Sequence, residues 1–101
     1  MKLIETIMLR STKEIPGTLI KDLIRNLHLE GKADYPLEVK IYRNFPLKMD
    51  LNIQLLWESD VEPAGESSLG RRIHHIIKDY GLVCHSVWIE EVFDLEYGKI
   101  N

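Results

Sequence analysis

"GLVCHSVWIEE", Gly81 to Glu91, decides how the chain is read. A cysteine, a histidine and a tryptophan crowd into a short apolar run; if they converge the run is a chemical site, and if they alternate it is a strand. Successive strand residues point to opposite faces, so Val83, His85, Val87 and Ile89 share one side and Cys84, Ser86, Trp88 and Glu90 the other. Cys84 and His85 then cannot serve one metal ion without a bulge, and Cys84 and Trp88 stand about 13 Å apart. Structural zinc asks for several Cys or His at spacings such as C-x2-C, and none occurs. The run reads as a strand with three separate packing solutions, and no metal site is expected.

The rest of the chain supplies partners for that strand. "KLIETIMLR" reads as a strand over about residues 2–10, with Glu5 on the side of Leu3 and Ile7, so that either facing turns one polar residue inward. After Pro16 and Gly17, the residues Leu19, Ile20, Leu23, Ile24 and Leu27 recur at helical spacing, with Thr18 or Gly17 as the cap and Gly31 as the stop. Leu37, Val39 and Ile41 line one face of a second strand; Leu51, Ile53, Leu55 and Trp57 line one face of a third. "NFPLKMD" turns between them at hairpin length. A polar loop, "SDVEPAGESS", leads to a helix capped by Ser67 or Ser68, with Leu69, Ile73, Ile76, Ile77 and Tyr80 as its stripe and Gly81 at its end. Residues from about Phe93 onward read as a short tail. The order β-α-β-β-α-β predicts one α+β domain over residues 1–101, ferredoxin-like, with a four-stranded antiparallel sheet and both helices on one face.

Composition narrows the function classes. The chain has 101 residues, 45% hydrophobic and 29% charged, with a formal charge of −3 and scattered cations. Phosphate binding needs a concentrated cationic face, so no nucleic-acid partner is expected, and no membrane partner either. Apolar runs fall far short of the roughly 20 residues that span a bilayer. The single Cys84 makes no internal disulfide, which points to the reducing cytoplasm.

Two helices cover one face of such a sheet; the other carries Ile4, Thr6, Met8, Lys40, Tyr42, Gln54, Leu56, Ser86 and Trp88. A solvated face reads mostly Lys, Glu, Thr and Ser. Met8, Tyr42, Leu56 and Trp88 instead predict an interaction or ligand face of several hundred Å². A homodimer packed sheet to sheet, a dimeric α+β barrel, is the expected assembly.

His74 or His85 has the residue type of a general base, but His85 shares the helix-covered side and reads better as a core-edge histidine hydrogen-bonded to the helix layer. Cys84 lacks an activating partner for nucleophilic work. Ser67, Ser68 and Arg71 form a candidate anion site at a helix start; capping by Ser67 and pairing of the arginines with Glu62 or Glu66 explains the same residues. No nucleotide-binding loop is present, and no cofactor is expected.

"LLWESD…SSLGRRIHHIIKDYGLVCHSVWIEE" is similar to a group of small bacterial proteins of unassigned function. They share a Trp-Glu-Ser ending on the third strand and a Gly-Leu-Val-x-His-Ser-Val-Trp fourth strand. The resemblance covers about the last half of the chain and implies the ferredoxin-like fold without supplying an activity. More distantly, the element order resembles dimeric α+β barrels such as the antibiotic-biosynthesis monooxygenase-like family, in which two sheets pack face to face and enclose a pocket. These readings give a homodimeric binding or interaction module with a small-molecule ligand at the sheet face. The alternative is a cofactor-independent monooxygenase-like enzyme for a small aromatic or quinol.

Overall fold

The computed structural model describes residues 1–29, 35–47, 49–94 and 99–100. The elements run β1 (Lys2–Ser11), α1 (Gly17–Leu29), β2 (Glu38–Arg43), β3 (Asp50–Glu58), α2 (Ser68–Ile77) with a 3-10 turn at Lys78–Tyr80, β4 (Gly81–Ile89), β5 (Phe93–Asp94) and β6 (Lys99–Ile100). The first four strands form one antiparallel sheet in the order β2-β3-β1-β4. β1 is central, pairing Ile7 with both Ile53 and His85.

Alternation sets the two faces. Odd-numbered residues of β1 and β3 (Leu3, Ile7, Leu9, Leu51, Ile53 and Leu55) are buried, and all of these but Leu3 belong to one core cluster with Leu19 and Leu23 of α1 and Leu69, Ile73 and Ile77 of α2. Both helices therefore lie on the odd face. Each fully buried Leu or Ile contributes roughly 1.5–3 kcal/mol. The opposite facing of β1 would bury Ile4 and Met8 but also carry Lys2 and Arg10 inward, so the odd frame wins even though it takes Glu5 with it.

Four details depart from the pattern of the sequence. Leu37 precedes β2 and is 63% exposed, because only Val39 and Ile41 of that strand lie under helix cover. Ile24, in the α1 stripe, and Ile89, at the end of β4, are exposed. Leu27's side chain and Gly31 lie outside the described residues, as does Lys48 of the β2–β3 turn. The expected tail forms a small antiparallel ladder of its own, Phe93 opposite Ile100 and Asp94 opposite Lys99. No helix among the described residues is long and apolar enough to cross a membrane.

Gly81 opens β4 directly opposite Ser11. A Cβ there would fall 2.8 Å from the Ser11 Cα and 2.9 Å from the Arg10 carbonyl carbon. Those are backbone atoms of the central strand, which cannot rotate aside. Gly81→Ala is expected to cost about 2 kcal/mol, read as a lower urea midpoint at unchanged slope; an unchanged midpoint would refute this close approach.

Candidate functional site

The inward facing of β1 places Glu5 among Leu3, Ile7 and Leu9, where it is 1% exposed. Burying a carboxylate costs several kcal/mol unless donors meet it. Four do. Oε1 accepts from the Trp57 indole Nε1–H (3.0 Å) and the Ser67 hydroxyl (2.6 Å); Oε2 accepts from the Ser67 backbone N–H (3.0 Å) and His85 Nε2 (2.6 Å). This is the full acceptor set of an ionised carboxylate.

The four donors come from three parts of the fold. Trp57 closes β3, His85 lies on β4 and Ser67 is the N-cap of α2, its hydroxyl accepting from the Gly70 N–H at 2.9 Å. The negative charge thus sits at the positive end of α2. Gly70 makes the approach possible, because a Cβ there would lie 2.7 Å from Glu5 Cδ and 2.9 Å from His85 Cε1.

Glu5 also fixes the imidazole. The carboxylate offers only acceptors, which assigns a proton to His85 Nε2 and leaves Nδ1 with a lone pair in the neutral ring. The ring is 2% exposed, and Nδ1 is buried without a hydrogen bond; Glu66 Oε2, on a 41% exposed side chain, stands 3.5 Å away. The His74 ring of α2 lies 5.9 Å from the His85 ring, centroid to centroid. The sequence pointed to a helix group as the partner of His85; its hydrogen bond goes instead to the neighbouring strand, at Glu5. An acid–imidazole pair with one capped ring nitrogen can hold or accept a proton at Nδ1, which faces the Glu66 carboxylate. Beside the pair, Glu5, Ser67, Trp57, Tyr35 and Pro63 line a groove of about 300 Å³ between the sheet and the loop that enters α2.

The residues singled out on the second sheet face all lie on the open side, in rows set by the ladders. Glu38, Leu56, Ile4 and Trp88 form one row, Lys40, Gln54, Thr6 and Ser86 the next, and Tyr42, Asn52, Met8 and Cys84 a third. Met8, Tyr42 and Trp88 are exposed and Leu56 is partly buried, so the apolar surface falls into two bands separated by a polar one. A concavity of about 500 Å³ lies at the third row, around Met8, Tyr42, Asn52 and Cys84. At the α2 start, Ser67 is the cap, Ser68 is exposed, and Arg71 Nη1 donates to the Glu66 carbonyl at 2.9 Å. The anion held by that helix start is Glu5. Among the described residues no three His, Cys, Asp or Glu side chains gather as a metal site.

The sequence pattern does not single out Glu5 or Trp57 as site residues. One signal was available, a lone acid on an otherwise apolar strand face, but its donors lie 52 to 80 positions away. The chain matches no protein-family profile, no curated protein and no solved structure.

Substitution should rank these contacts. Glu5→Gln puts an NH2 group against donors and is expected to cost about 3 kcal/mol, whereas Trp57→Phe removes one donor and should cost about 1–2 kcal/mol. Chemical denaturation checks the order; equal, small losses would show that the carboxylate is not the hub.

Proposed function

We propose that this chain is a small interaction module of ferredoxin-like type that works as a homodimer, the open sheet faces of two copies packed together as a dimeric α+β barrel. The observation that carries the proposal is Trp88. Its indole N–H is already satisfied by Ser86 Oγ at 2.8 Å, and Ser86 Oγ is in turn bonded to Thr6 Oγ1 at 2.8 Å, yet the residue remains 63% exposed. With its polar atom internally paired, the exposed ring is apolar surface, and covering it with a second copy is favourable. Ile4 stands beside it in the same row, and Leu56 lies beyond Ile4. The polar middle row supplies hydrogen-bonding groups near the centre of such an interface, and the concavity beside Met8, Tyr42 and Cys84 is the place for a small ligand between the copies. The unpaired Cys84 suits a reducing compartment, the cytoplasm.

A monooxygenase-like enzyme on this face asks for a histidine in the cavity. The described residues lining the concavity include none, and His85 points to the other side of the sheet, so the interaction module is the reading we adopt.

Light scattering coupled to size exclusion decides the matter. A dimer at tens of micromolar is expected, with Trp88→Glu converting it to a folded monomer because a charge would enter an apolar contact. A clean monomer of the unaltered chain under the same conditions would overturn the proposal.

A further inference from the structure

We infer that the loop entering α2 is a proton-operated latch on the groove beside Glu5, closed when His85 Nδ1 carries a proton that Glu66 accepts. The inference concerns the helix-covered side of the sheet and is independent of how the open face assembles. Three observations carry it. His85 Nδ1 is a buried ring nitrogen with no hydrogen-bond partner. The polar group facing it, Glu66 Oε2, stands at 3.5 Å, outside good hydrogen-bond geometry but within a small side-chain movement of it. Glu66 itself lies between Gly65 and Ser67, two residues that line the groove.

With Nε2–H committed to Glu5, a neutral ring turns its Nδ1 lone pair toward a carboxylate, and two acceptors repel. Adding a proton to Nδ1 makes a donor there, and the imidazolium then lies between Glu5 of β1 and Glu66 of the loop. The groups facing the ring from other elements are Glu5, Glu66 and His74 of α2; a charge on His74 would oppose the same protonation. Because the proton is held by the closed arrangement and not by the open one, closing takes up a proton and lowering the pH favours closure. Two features confine the movement to the loop. Arg71 anchors the Glu66 carbonyl, and Gly65 has φ +153°, a conformation open to glycine and rare for other residues. Glu5 keeps its four donors in both states, so the core is unchanged while the groove wall shifts.

Hydrogen exchange on the full chain tests this, with amide rates of residues 61–66 compared at about pH 5.5 and about pH 8 after correction for intrinsic chemistry. Protection several-fold greater at the lower pH is expected in the unaltered protein, lost in Glu66→Gln and retained in His74→Gln. Imidazole ¹⁵N spectra should show a protonated His85 Nδ1 in the protected form and a bare one in the unprotected form. Protection that is independent of pH, a dependence that survives Glu66→Gln, or one that disappears with His74→Gln would each overturn the latch. The Glu66 side chain is 41% exposed and meets the buried layer only at His85 Nδ1 among the contacts described, so its substitution tests the latch in a folded protein.

Discussion

A single carboxylate organises this domain. Glu5 binds the central strand to β3 through Trp57, to β4 through His85 and to the start of α2 through Ser67, and these are the elements whose mutual placement defines the helix-covered side. An apolar residue in its place would spare the desolvation cost, but it would leave the indole N–H, the Ser67 N–H and the imidazole without their acceptor. The charge also has a geometric condition. Gly70 must lack a side chain, because the first turn of α2 passes where a Cβ would strike both members of the pair. Acid, glycine, cap and histidine therefore form one unit, in which the alteration of any member exposes the others to an unpaired buried polar group.

The faces of the sheet were legible from the sequence because they depend on a period of two and on nothing distant. Leu3, Ile7 and Leu9 against Ile4 and Met8, or Val83 and His85 against Cys84 and Trp88, follow from alternation, and the structure places them so. Ser67 as a cap was legible for the same reason: its partner, Gly70, is three residues on. The Glu5 site was not. Each of its donors has an ordinary explanation where it stands, Trp57 as the last member of an apolar strand face, Ser67 as a cap, His85 as a core-edge residue. Only the ladders bring them together. The terminal ladder of β5 and β6 leaves no mark in the sequence because two-residue strands are too short to show any period.

The banding of the open face changes what a partner there would feel. Composition alone gives a half-apolar surface, but the ladders sort it, placing Lys40, Gln54, Thr6 and Ser86 in a strip between the Trp88 row and the Met8 row. A flat apolar sheet would slide against any other; a face with a polar strip between two apolar ones fixes register, since a shift by one row sets polar groups against apolar ones.

The sheet order also governs when the domain can come together. β1 needs β3 and β4 on its two sides, and β4 follows it by about 80 residues, so at roughly 5–20 residues per second of synthesis the first strand waits about 4–16 s for its second neighbour. The β2–β3 hairpin closes locally long before that. Until His85 and Ser67 have emerged, Glu5 has water as its partner, and the same acid that ties the finished domain together keeps the early strand hydrated. Its apolar edge is thereby less inclined to pair with a neighbouring chain while the rest is being made.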